Sequence, residues 1–203
     1  MIELRRQIFH LFMGVLIVLL LMLKIINAKI IFIVLIAGGI LSLLSMRFKI
    51  PILNWFLEKF DRKDNKIPGR GAIFFVVGVL LVIKLFPENI AYASIMVLTF
   101  GDAFSHLVGS FGKIKNIFNG NKALEGIIFG VLFGFLGAVL FVSALEAFFG
   151  SLIAMFVESV EFKLSDNIVD DNIIVPLVSG TVMYLISTGF SVFFWRIIVR
   201  FIY

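Results

Sequence analysis

Apolar runs of nearly the length that a bilayer's hydrocarbon core demands recur along the whole chain. A core of about 30 Å takes roughly 20 helical residues to cross, and inside it every backbone polar group must be satisfied by the chain itself. Helices are the expected form. The runs fall at about residues 8–26, 30–46, 71–86, 90–108, 124–145, 151–162 and 173–195, with Lys24, Asn27 and Lys29 marking a tight turn after the first and Pro87 closing the third. The sixth run is short enough that it either crosses or re-enters. With 61% hydrophobic and 15% charged residues among 203, and a mean hydropathy of +1.12, the chain has more apolar surface than a soluble core of its size could hide. Folding at this length removes only about 70% of the surface from water. The expectation is one domain, residues 1–203, built as an all-α, polytopic transmembrane helical bundle of about seven spans with membrane lipid around it.

The amino-terminal run is too long for a cleavable leader and lacks a small-residue cleavage site, so it is read as a true span. The longest polar piece, residues 47–70, places Ile52, Trp55, Phe56, Leu57 and Phe60 mostly on one helical face, the pattern of an amphipathic helix lying at the headgroups. Most of the 18 lysines and arginines fall on one side of a seven-span arrangement with the amino terminus inside, in the pieces around Arg47 to Arg70 and Lys113 to Lys122. Cytoplasmic loops carry such an excess, so the basic face is read as cytoplasmic and no nucleic-acid partner is expected. The chain has no cysteine, which excludes disulfides and thiolate chemistry.

Three groups of polar residues share that face. Asp102 lies within the fourth span, followed by Ser105, His106 and Gly109 at helical spacing, so that together they form one narrow polar stripe. A mid-helix aspartate costs roughly 2.5–3.5 kcal/mol on insertion scales, which favours a metal- or proton-handling role over a packing partner. His106 reads as a hydrogen-bonded packing residue, with ligand or base as the alternative. Next come Gly109, Ser110, Phe111, Gly112, Lys113 and Lys115, then Lys122, Glu125 and Gly126. Glycines let backbone N–H groups approach an anion and lysines supply mobile positive charge, as a polyphosphate requires. The likeness to a Walker loop is superficial, because Leu107 stands at the first glycine position and Ile114 follows the lysine. Gly126, Gly130, Gly134 and Gly137 repeat at spacings that suit close helix packing. The third group is Glu158 and Glu161, then Asp166, Asn167, Asp170, Asp171 and Asn172 ahead of Pro176, oxygen ligands suited to magnesium. Converging on one face, these groups describe a magnesium-nucleotide site beside lipid.

Taken in order, Arg5-Arg6 with His10, the piece from Lys66 to Gly71, Gly101-Asp102 to Gly109, Gly112-Lys113, Lys122 with Glu125-Gly126, Glu158, and Asp171-Asn172 before Pro176 resemble the polyprenol kinase family. That family includes dolichol kinase, phytol kinase and the CTP-dependent diacylglycerol kinase. The resemblance implies phosphoryl transfer from a nucleoside triphosphate, commonly CTP, to a lipid hydroxyl, with a divalent metal. Ser105 stands where the family usually has alanine, and Ala123 where a hydroxyl residue is common. On this reading Asp102 holds Mg2+ with Asp171 and Asn172, while Lys113, Lys115, Lys122 and Arg70, with Gly109, Gly112 and Gly126, cradle the phosphates. Glu125 or Glu158 receives the hydroxyl proton. A membrane cytidylyltransferase making a CDP-lipid and a non-enzymatic transporter using Asp102 and His106 are the alternatives.

One consequence concerns topology alone. If the glycine-lysine loop and the acidic loop belong to one site, single cysteines placed at Asn119 and Val169 in this cysteine-free chain will both react with an impermeant thiol reagent from the cytoplasmic side; labelling from opposite sides would rule out a shared site.

Overall fold

The computed structural model describes residues 2–48, 50–61, 67–114, 123–160, 163–164, 167–168 and 170–202, without the side chains of residues 2, 163–164, 167–168 and 190–202. Apart from one two-residue strand pairing, the regular structure is helical. In chain order it comprises α1 (Ile2–Met22), α2 (Ala28–Arg47), α3 (Pro51–Phe60), α4 (Arg70–Leu85), α5 (Glu88–Met96), a π-helical segment (Val97–Asp102), α6 (Ala103–Gly109), α7 (Leu124–Ala138), α8 (Ala144–Ser159) and α9 (Asp171–Ile202). Between α8 and α9, β1 (Lys163–Leu164) pairs antiparallel with β2 (Asn167–Ile168).

Among the described residues, four helices are long and apolar enough to cross a membrane: Glu3–Met22, Ala28–Arg47, Glu88–Gly109 and Asp171–Gly189. The remaining long helices, α4, α7 and α8, have 16, 15 and 16 residues, short of the roughly 20 that cross a flat core. Each expected run therefore corresponds to a helix or helical series, but the boundaries of the fifth and sixth move. Residues 124–145 do not form one helix, because α7 ends at Ala138 and α8 begins at Ala144 rather than near 151. The cause is local. The Ser143 hydroxyl accepts from the Glu146 N–H while the Glu146 carboxylate accepts from the Ser143 N–H, a reciprocal cap that starts a helix wherever the sequence places it. The first run likewise stops at Met22, where Lys24 turns with φ 55° and Asn27 caps α2 by accepting from the Lys29 and Ile30 N–H groups.

The series α5–π–α6 is the axis of the bundle, and α1, α4, α7, α8 and α9 pack around it. Ala93, Ile95, Val97 and Leu98 are fully enclosed there, with Val79, Met155, Val175 and Met183 closing in from the neighbours. The second helix packs on α4 and leaves Phe32, Ile33, Ile40 and Leu43 outward, as a lipid-facing helix should. On α3, Phe56 and Phe60 pack on Phe9 of α1, while Ile52 and Trp55 point outward, so the amphipathic helix expected within residues 47–70 occupies the amino-proximal part of that piece, as a short helix lying on α1.

Close crossings hold α7 on the axis. A Cβ at Gly126 would come 2.5 Å from the Ser105 carbonyl oxygen and 2.9 Å from Gly109 Cα, and one at Gly130 would come 3.0 Å from the Gly101 carbonyl. The glycine row thus does the packing its spacing suggests. On the other side, Pro176 has no N–H to pair with the carbonyl of Asn172, and that carbonyl lies directly against Gly78 of α4. Backbone atoms cannot move aside as a side chain can. Gly126→Ala should therefore cost about 1–3 kcal/mol, the usual penalty for overpacking. By contrast Gly39→Ala, where a Cβ meets nothing, should be neutral or stabilise by up to about 1 kcal/mol through helix propensity. Unfolding of the two variants in detergent checks both, and equal behaviour would contradict the packing account.

Candidate functional site

The π segment brings Asp102 to the bundle's interior. A π turn holds one residue more than an α turn and so widens the helix, and such bulges occur often at functional sites. Asp102 and Ser105 are buried, and His106, one turn on, places Nε2 3.3 Å from Asp102 Oδ1. From the end of α8, Glu158 enters the same space at 2% exposure, with Oε2 accepting from the Ser105 hydroxyl at 3.3 Å. Single ligand atoms of Asp102, His106 and Glu158 lie within 4.8 Å of one another. On the opposite side α1 contributes His10, whose Nε2 is 4.0 Å from Asp102 Oδ2 and whose ring stands edge-on to Phe75.

Two carboxylates gathered inside an apolar bundle repel each other and have lost most of their hydration, so they call for a positive partner. Their oxygens suit a hard divalent cation, and the imidazole adds a nitrogen donor that magnesium seldom uses but manganese accepts. On donor chemistry the cluster fits a cation. Its membership differs from the set expected from sequence: Asp102 is joined by Glu158 and His106, while Asp171 and Asn172 sit at the start of α9. There the Asp170 carboxylate caps the helix, accepting from the Asn172 N–H at 3.1 Å and from its side-chain amide at 2.7 Å. Asp170 Oδ2 is also 3.8 Å from the guanidinium of Arg70, which lies over the Phe74 ring.

The glycine-lysine loop leaves the end of α6 directly beyond His106. It is braced by Glu125, in the first turn of α7, whose carboxylate accepts from the N–H groups of Lys113 at 2.9 Å and Ile114 at 3.2 Å. The Leu124 N–H in turn donates to the Ile114 carbonyl. Gly112 lies so close to Ala123 and Glu125 that a side chain there would collide with both. Lys113 is exposed at the rim, and Gly109 packs against Gly126. Lys115 and Lys122 lie outside the described residues, as do Lys49, Arg62, Lys63, Lys66, Asn119, Glu161, Asp166 and Val169.

Sequence reasoning passed over Gln7. It is 1% exposed and sits one turn before His10, its Nε2 donating to Glu3 Oε1 at 2.9 Å. The signal was there to read: Glu3, Gln7 and His10 recur at four- and three-residue steps along a helix that is apolar from Leu11 onward.

The fold is an apolar helical bundle with an acidic cluster beside a glycine-lysine loop, and the comparisons with known proteins bear on its family. The chain is 32% identical over 180 residues to an uncharacterized protein of Methanocaldococcus jannaschii, covering 87% of this chain and 90% of that one. It is 27% identical over 149 residues to CTP-dependent diacylglycerol kinase 1 of Schizosaccharomyces pombe, covering 66% and 68% of the two chains. To a probable chloroplastic phytol kinase of Oryza sativa it is 31% identical over 142 residues, 60% of this chain and 43% of the relative. No family model matches the chain, and no solved structure matches it at a significant level. The protein belongs to the polyprenol kinase-like family of membrane lipid kinases.

The cluster makes a prediction independent of turnover. Glu158→Gln removes one of the two crowded negative charges, so in chelator the variant should melt at or above the wild-type temperature. Added Mn2+ should raise the wild-type melting temperature and leave that of the variant nearly unmoved. Lower stability in chelator together with a retained Mn2+ response would contradict the assignment.

Proposed function

We propose that the protein is a lipid-alcohol kinase that transfers the γ-phosphoryl group of a nucleoside triphosphate, CTP in the first instance, to the hydroxyl of a polyprenol, isoprenoid alcohol or diacylglycerol-like lipid. One observation carries the reading: Asp102, His106 and Glu158 gather inside a lipid-facing bundle, and the helix that bears two of them runs straight into a glycine-lysine loop held in shape by Glu125. The kinase names of the relatives support the same chemistry.

Phosphoryl transfer depends mostly on positioning and charge neutralisation. Asp102, His106 and Glu158 are assigned the divalent cation, Mg2+ or Mn2+, which when bound would neutralise phosphate charge. Lys113, Lys115, Lys122 and Arg70, with the backbone of Gly109 and Gly112, are assigned the triphosphate. Gly126 lets α6 and α7 meet closely where the loop begins and ends. The alcohol oxygen bonds to the γ-phosphorus as the bond to the β–γ bridging oxygen breaks, and the nucleoside diphosphate leaves with that electron pair. Glu125 braces the loop with its carboxylate on two backbone N–H groups, so the hydroxyl proton is assigned to Glu158, whose carboxylate lies inside the cluster. The whole chain acts as one catalytic domain with seven traverses. The shorter helices are accommodated by local thinning of the bilayer, and the site opens to the cytoplasmic face, where the lysine- and arginine-rich loops belong.

Purified protein supplied with Mg2+, CTP or ATP, and a panel of polyprenol, phytol and diacylglycerol should yield a lipid monophosphate from at least one acceptor. Formation of a CDP-lipid with release of pyrophosphate would replace this reading by the cytidylyltransferase, and no transfer from either nucleotide would refute it. Asp102→Asn keeps the shape of the side chain but removes the charge, so it should insert and melt close to wild type while turnover falls by about two orders of magnitude or more. Near-normal turnover in that variant would remove Asp102 from the mechanism.

A further inference from the structure

We propose that the inner face of α1 is the seat of the acceptor hydroxyl, with the side-chain oxygen of Gln7 receiving the O–H of the lipid alcohol beside Asp102. The inference rests on the lipid-kinase reading and adds the place where the acceptor is held.

The amide of Gln7 has only one orientation open to it. Its nitrogen donates to the Glu3 carboxylate, which as an ion can only accept, so Oε1 must face the other way. That oxygen is buried and has no hydrogen-bond partner among the described residues. Burying a carbonyl without a donor costs free energy, and native proteins seldom tolerate it without a reason. The neighbouring His10 repeats the pattern, since its Nε2 is also buried and unpartnered, 4.0 Å from Asp102 Oδ2 and beyond hydrogen-bond reach.

The register across the two helices shows where Gln7 points. Gly14 of α1 lies directly against Thr99, and His10 lies against Asp102. Moving back along α1 therefore means moving forward along the axis. One turn further, Gln7 comes level with Ser105 and His106, the residues that touch Glu158 and Asp102. Gln7 Oε1 and Asp102 Oδ2 are then two acceptors on this side of the axis, and among the described residues Oε1 has no donor. An alcohol O–H is a donor of the right size, and its oxygen keeps lone pairs free for attack. The outer face of the same helix presents Leu4, Ile8 and Phe12 to lipid, so an acceptor whose chain stays in the bilayer reaches this position without leaving the hydrocarbon.

Two measurements test the seat. In the first, phytol and its methyl ether, which lacks only the donor hydrogen, are compared as stabilisers of the purified protein. Phytol should raise the melting temperature of wild type clearly more than the ether does, and Gln7→Met should abolish that difference. Equal stabilisation of wild type by alcohol and ether would overturn the proposal, and would show that water or an apolar contact fills the space. The second measurement is turnover. Gln7→Met should lower kcat/KM for the alcohol about ten- to a hundredfold while KM for the nucleotide changes by less than about twofold, because a buried hydrogen bond to the acceptor alone is lost. Unchanged alcohol efficiency, or an equal loss on the nucleotide side, would overturn the seat and leave the kinase intact. Wild type that tells alcohol from ether but transfers phosphate to no alcohol would refute the kinase and leave the hydroxyl seat standing.

Discussion

A bilayer gives a carboxylate no water to lean on, and this fold is arranged around two carboxylates that share one space. Asp102 and Glu158 come from different helices, α8 being separated from the axis by α7 along the chain, and the bundle must hold them together against their mutual repulsion. Close packing does this. Gly101 and Gly130 face each other with Met155 wedged beside both, so the π segment, α7 and α8 meet one turn from the acidic pair. The glycine row and the acidic cluster are thus parts of one arrangement, the first bringing backbones near enough for the second to form.

The same arrangement accounts for the loop. Because Gly126 lets α7 begin directly against the end of α6, Glu125 falls where it can accept from the Lys113 and Ile114 N–H groups. A carboxylate that from its position in the sequence could be a base is, in the fold, also a brace for the loop. Arg70 and Asp170, at the starts of α4 and α9, meet where Gly78 and the proline-freed carbonyl of Asn172 allow those two helices to touch.

Much of this could be read from the sequence. Hydrophobic runs located every long helix, because lipid imposes a length and a composition that leave few alternatives. Asp102 stood out through the cost of its position, and the glycine spacing named the face of α7 that packs. The break between α7 and α8 was also written in the sequence, in Ser143 and Glu146, but two short helices of apolar residues look like one long one when hydropathy alone is followed. Two features were not legible. Nothing in the residue order announces a π segment, whose extra residue per turn rotates Asp102 relative to its neighbours. Nor could the sequence choose Glu158 over Asp171 as the partner of Asp102, because both follow α7 and only the crossing angles of α8 and α9 decide which one enters the cluster. His106 was weighted toward hydrogen-bonded packing, and its Nε2 lies 3.3 Å from Asp102 Oδ1.

The central claim is that this bundle moves a γ-phosphoryl group from nucleotide to lipid, and the fate of a single phosphorus atom tests it most directly. CTP labelled at the γ phosphorus and CTP labelled at the α phosphorus are given in parallel to the wild-type protein with divalent cation and lipid alcohol, and the organic phase is counted. The account predicts that label enters the lipid from the γ position and not from the α position. Label arriving from the α position, or from neither, would contradict it.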